Sequence, residues 1–138
     1  MFDAIFASAL RSLPVFATHF AVTVVMLVAA VMLYQMLTPQ SEARLIRENN
    51  AAAATAFGAV VLSLALPLGM CLARSVSIPD IVVWGVVALV VQFGTFFVAR
   101  LAFRDLVQRI ERGEVASAIA LGATHLAIGV INAAAIAG

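Results

Sequence analysis

The chain contains no lysine, a single cysteine and very little charge of either sign. All eight basic residues are arginine, which we read as a compositional bias without functional meaning. One cysteine, Cys71, excludes an internal disulfide and any multi-cysteine metal site. It lies in an apolar stretch and reads as a small core residue. A net charge of +1 gives no footprint for nucleic acid or for an acidic substrate. There is no glycine-rich phosphate loop, no paired metal ligands, and no Ser/His/Asp set that falls at one depth. Asp3 and Asp80 fall on the same side, but a surface carboxylate pair is ordinarily just solvated. The residues therefore point to a non-enzyme with no cofactor and no metal.

What the chain has instead is apolar sequence. Of its 138 residues, 64% are hydrophobic and 11% charged, with a mean hydropathy of +1.13. A soluble domain is roughly half apolar and about a quarter charged, so too little polar surface remains to cover a water-facing core. Four stretches are long enough to cross a hydrocarbon layer of about 30 Å, which takes about 20 helical residues: 13–37, 51–73, 81–103 and 115–137. None alternates apolar with polar as barrel strands do, so they read as helices. The expectation is an all-α polytopic membrane protein with four transmembrane helices in one domain, its first partner the lipid bilayer. The first run is too long for the roughly 7–15-residue core of a signal peptide and reads as a span.

The connections hold nearly all the charge. Thr38-Pro39 ends the first span and reads also as the start of a short polar helix or turn, with Thr38 as its N-cap and Pro39 in its first turn. Pro79 opens the third span. The third helix is expected to continue into an interfacial segment over 100–112. There Phe103, Leu106, Val107 and Ile110 share one face, and Arg100, Arg104, Asp105, Gln108, Glu111 and Arg112 occupy the other. Gly113 breaks it. Phe2, Ile5, Phe6, Ala9 and Leu13 make a weaker stripe at the N-terminus. Six arginines (Arg44, Arg47, Arg100, Arg104, Arg109, Arg112) flank the first and third connections, against Arg11 and Arg74 on the other side. The positive-inside rule then places both termini outside the cytoplasm.

Setting Gly58 over Gly122 aligns Ile46, Ala52, Ala54, Ala56, Ala59 and Leu62 with Ile110, Ala116, Ala118, Ala120, Ala123 and Leu126. Two readings stand. One is a tandem repeat of two-helix units entering the membrane in the same sense, with a pseudo-twofold axis along its normal. The other is chance similarity between alanine-rich helices. Ala54 and Gly58, Ala118 and Gly122, and Gly129 are spaced as small-residue packing faces, joining helices within the bundle or between subunits.

Polar side chains at membrane depth are the candidate site. Ser63, Gln92 and His125 sit roughly 15–18 Å from the outer ends of their helices, with Thr95 and Thr124 close by. A polar group without a partner in hydrocarbon costs several kcal/mol, so these groups should face one another or a wet cavity. They read either as a polar path or as interhelical hydrogen-bond glue. A haem held by His19 and His125 is disfavoured because the two lie at different depths, about 9 and 18 Å. His19 is expected to bond a backbone carbonyl or water. In the first connection Glu42, Arg44, Arg47 and Asn50 read as a docking surface, with an N-cap as the competing role for Asn50.

Several short motifs, taken together, resemble a known family. They are Thr38-Pro39, Glu42, Leu45-Ile46 and Asn50 with Ala51-Ala52-Ala53; Pro67-Leu68; Ser77-Ile78-Pro79-Asp80; Trp84-Gly85, Ala88-Leu89-Val90 and Gln92; and Gly129 with Asn132-Ala133-Ala134. Their order and spacing over nearly the whole chain resemble the domain-of-unknown-function 350 family, the YjfL-like bacterial inner-membrane proteins. The resemblance implies a four-span inner-membrane protein, an envelope-associated assembly, and motif positions at Thr38, Pro39, Trp84, Gln92 and Asn132. It supplies no activity, and His125 stands where the family usually carries a small residue. The function expected is an oligomeric scaffold with a homo-oligomeric state and a peripheral cytoplasmic or envelope partner. The alternative is a small oligomeric ion channel or transporter.

Overall fold

The computed structural model describes residues 1–38 and 42–138. All described elements are helices: α1 (Phe2–Leu37), α2 (Glu42–Arg47), α3 (Ala51–Arg74), α4 (Ile78–Ala102), α5 (Arg104–Glu111) and α6 (Val115–Ala137). Four of them, α1, α3, α4 and α6, are long and apolar enough to cross a membrane. At 1.5 Å per residue α3, α4 and α6 measure about 35–38 Å, and α1 about 54 Å. Their outward faces carry Val83, Val90, Phe97, Val98, Val130 and Ile131, all exposed, a surface that only lipid covers without cost.

The centre of the bundle is the α3–α6 pair, with α4 beside both and α1 packed on α3 and α4. Small residues set this arrangement. At one end Ala52, Ala53, Ala56, Ala99 and Ala118 meet Ile110 and Leu121; alanines there let the helix axes approach closely. Further along, Ala30, Val60, Leu64 and Phe96 form a second cluster. A methyl added at Gly122 would lie 2.7 Å from the Ala59 Cβ, and one at Gly129 2.8 Å from the Ser63 carbonyl oxygen. Both glycines are therefore contact points of α6 on α3. Ala118 is buried in the same seam. Ala54 and Gly58 are not part of it: both are exposed, and the space around Gly58 is open. Their expected packing role does not operate within the chain, because α3 turns the 54–58 face outward to bury Ala52, Ala53 and Ala56.

Thr38 is the C-cap of α1, its backbone N–H and its hydroxyl both donating to the Tyr34 carbonyl at 3.0 and 2.6 Å. Its expected N-cap role and the first-turn role of Pro39 fall on residues outside those described. The third connection departs from the sequence-based expectation. α4 does not run on through 100–112 but breaks at Phe103 (φ −121°, ψ 44°), so that α5 is separate. The apolar face of the segment is divided: Ile110 is buried and Val107 packs beside it against the bundle, while Phe103 stays exposed.

The α2–α3 and α5–α6 turns share one backbone geometry at an offset of 64. Asn49 (φ 61°) and Gly113 (φ 90°) take the left-handed conformation. Asn49 N–H donates to Ile46 and Asn50 N–H to Leu45; Gly113 N–H donates to Ile110 and Glu114 N–H to Arg109. Asparagine tolerates that conformation better than other non-glycine residues. Ser77 caps α4, its Oγ accepting from Asp80 N–H at 3.4 Å, with Pro79 in the first turn.

Candidate functional site

Two groups of polar side chains sit inside the bundle. The first is a buried ladder joining α4 to α6. The Gln92 amide donates to the His125 carbonyl at 3.2 Å. The Asn132 amide donates to the Ala88 carbonyl at 2.9 Å and faces the Gln92 side-chain oxygen at 3.5 Å. Gln92 is fully buried. Each amide thus reaches a carbonyl on the opposite helix, which is how polar residues hold helices together in lipid. The other expected members are not drawn in. Ser63 donates to its own helix at the Val60 carbonyl, 2.7 Å. Thr95 and Thr124 donate to Val91 and Ala120 on their own helices and line a separate shallow groove. Of Gln92, His125, Ser63 and Thr95, the hydrogen bonds among the described residues join only Gln92 to His125, through a backbone oxygen.

The second group lines a cavity of about 360 Å³ near the α2–α5 end of the bundle. Tyr34, Phe93, Phe96, Val60 and Leu121 wall it, and Glu42, Arg100 and Glu111 contribute its charge. The Tyr34 hydroxyl donates to Glu42 Oε1 at 2.7 Å. Glu42 Oε2 is buried and has no partner, as is Nδ1 of His125, which also lines the cavity. The Phe96 ring stands edge-on to both Tyr34 and His125, with centroids 5.3 and 4.5 Å apart. Burial pushes the Glu42 carboxyl above the usual carboxylate range, against the opposing effects of the Tyr34 hydrogen bond and the Arg100 charge.

The loop candidates separate accordingly. Glu42 turns inward to Tyr34. Asn50 is the N-cap of α3: its Oδ1 accepts from Ala53 N–H at 2.9 Å, while its amide donates to the Ile110 and Glu111 carbonyls at 3.2 and 3.1 Å. One side chain thus caps α3 and holds the end of α5. Arg44, 3.8 Å from Glu48, and Arg47 remain on the surface. His19 Nδ1 lies 2.7 Å from the Val15 carbonyl. Trp84 is half exposed on the outside of α4.

The family described as Domain of Unknown Function (DUF350) matches residues 8–136. The chain belongs to the DUF350 family. It is 37% identical over 125 residues to the UPF0719 inner membrane protein YjfL of Escherichia coli K12, covering 91% of this chain and 95% of that protein. The Escherichia coli O157:H7 protein of the same name matches to the same extent. No solved structure matches. This DUF350 chain is therefore an integral membrane protein of a family without an assigned function, and the two YjfL proteins carry no enzymatic name.

Tyr34, Phe93, Phe96, Arg100 and Glu111 were not among the candidates read from sequence. Tyr34 is the only tyrosine in the chain and lies eight residues before Glu42. That pairing was the one available signal, but the connection between them hides it. The phenylalanines look like ordinary lipid-facing residues until the helix faces are known.

Proposed function

We propose that this chain is a non-enzymatic inner-membrane scaffold: a self-assembling subunit of an envelope-associated complex, with both termini outside the cytoplasm. The observation that carries this reading is the exposure of α1. A 36-residue helix buries only Thr23 and Ala30. At about 54 Å it exceeds a hydrocarbon core of about 30 Å. The first turns carry Phe2, Ile5, Phe6, Leu10 and Leu13, all exposed. Lipid covers the part of α1 inside the membrane. The apolar stripe on the overhang needs a different cover, and a second copy of α1 supplies one. The recurrence of the two turns at an offset of 64 supports parallel two-span halves.

Single cysteines at Ile5, Phe6, Ala9 and Leu13, in a Cys71→Ala background, test this by oxidation in native membranes. Disulfide-linked dimers that follow a helical period are expected. No crosslink at any of the four, together with a monomeric mass in lipid, would refute the proposal. The competing reading, an ion channel or transporter, has weaker support because Gln92, Ser63 and Thr95 already have hydrogen-bond partners. Ion flux from liposomes that disappears in Gln92→Leu would favour it instead.

A further inference from the structure

The cavity at the α2–α5 end of the bundle, lined by all six helices, is not used by the scaffold role. Its composition is lopsided. Most of its wall is apolar or aromatic, supplied by Val60, Phe93, Phe96 and Leu121. Its charges are Glu42, Glu111 and Arg100, two carboxylates against one guanidinium. The guanidinium does not neutralise Glu42 by direct contact: Arg100 reaches the Leu37 carbonyl at 3.4 Å, and no ion pair joins Arg100 to Glu42 among the described residues. Glu42 Oε1 is held by the Tyr34 hydroxyl, which leaves Oε2 buried and unpartnered. An unpaired carboxylate oxygen away from water is expensive unless something donates to it. Tyr34, Phe93 and Phe96 line the same cavity, and an aromatic ring attracts a cation placed over its face. An anionic ligand would meet two carboxylates. A purely apolar ligand would leave Oε2 unsatisfied.

We propose that this cavity binds an amphiphilic amine, its ammonium donating to Glu42 Oε2 and its apolar chain lying along Phe93, Phe96, Val60 and Leu121. Glu111 adds negative charge on the same wall, and Arg100 limits the net charge to that of a single cation. The ammonium comes either from a lipid headgroup or from a free amine; both present the same chemistry to Glu42.

The test uses the full chain in phosphatidylcholine nanodiscs and follows the thermal unfolding midpoint and the amide and ring signals of Tyr34 and Phe93 by NMR. The probes are n-octylammonium, 1-octanol and octanoate. Octylammonium is expected to raise the midpoint and shift both residues in a saturable way, while octanol and octanoate do neither. Glu42→Gln keeps the shape and a partner for Tyr34 and is expected to weaken octylammonium binding by about tenfold or more. Ala56→Leu leaves every charge in place and narrows the cavity, so it is expected to weaken octylammonium binding several-fold. It serves as the deciding variant if Glu42→Gln does not fold. Replacing half the lipid with phosphatidylethanolamine separates the two sources. Loss of the octylammonium response there identifies a lipid headgroup, and its persistence identifies a free amine. The proposal is overturned if octanol binds as well as octylammonium, or if either variant binds octylammonium within about twofold of the parent.

Discussion

Replacing Gly129 by alanine tests the central helix pair. The added Cβ would lie 2.8 Å from the Ser63 carbonyl oxygen, 3.0 Å from its Cα and 3.3 Å from its carbonyl carbon. The first of these falls about 0.6 Å short of an ordinary contact of 3.4 Å. All three obstacles are backbone, so no rotamer change relieves them; α3 as a whole must move away from α6. Overpacking of this kind costs about 1–3 kcal/mol, and a rigid obstacle puts Gly129→Ala toward the upper end, about 2–3 kcal/mol. Gly122→Ala meets the Ala59 Cβ at 2.7 Å and should cost a similar amount, but Ala59→Gly should restore most of it. No side-chain change at position 63 can do the same for Gly129→Ala. Gly58→Ala, facing open space, should be neutral or gain up to about 1 kcal/mol from helix propensity. Steric-trap unfolding in bicelles measures all four, and the pair at 59 and 122 closes a double-mutant cycle. If Gly129→Ala is as stable as Gly58→Ala, the α3–α6 packing described above is wrong.

Three further outcomes are expected. Gln92→Leu removes the donor to the His125 carbonyl and the group facing Asn132. It should lower stability by about 0.6–2 kcal/mol and loosen assembly in detergent; unchanged stability and oligomeric state would show that Gln92 does not hold α4 to α6. Asn50→Ala removes the α3 cap and both bonds to the end of α5, at a cost of about 1–2 kcal/mol. Amide exchange should rise across 104–111, and an unchanged rate there would count against the bridging role. Burial raises the Glu42 carboxyl above its ordinary value of 4.5, so its folded state favours the proton. Its contribution to stability is then fully present below 4.5 and lost as pH climbs through the raised value. Glu42→Gln should flatten that part of the stability-pH curve, and a parent whose stability rises with pH there would contradict the assignment.

Sequence alone decided the solvent, the class and the number of long helices, because those depend on summed apolar length and on the absence of internal charge. Both can be read without knowing which residue touches which. It also located the turn at Gly113 and the capping role open to Asn50, since turn and cap chemistry act over a few neighbouring residues. Which face of a helix turns inward depends on its neighbours, and only the tertiary structure could decide that. Gly58 and Gly122 sit in matching alanine-rich contexts, yet one faces outward while the other is pressed against Ala59. Ser63, Thr95 and Gln92 looked equivalent by depth, but the two hydroxyls are short enough to bond their own helix, while the Gln92 amide reaches across to α6. Glu42 looked like a surface charge until the fold brought α2 back beside Tyr34. Helical period and depth fix a residue's height in the membrane but not its rotation toward a partner, and in this bundle rotation is what creates the cavity.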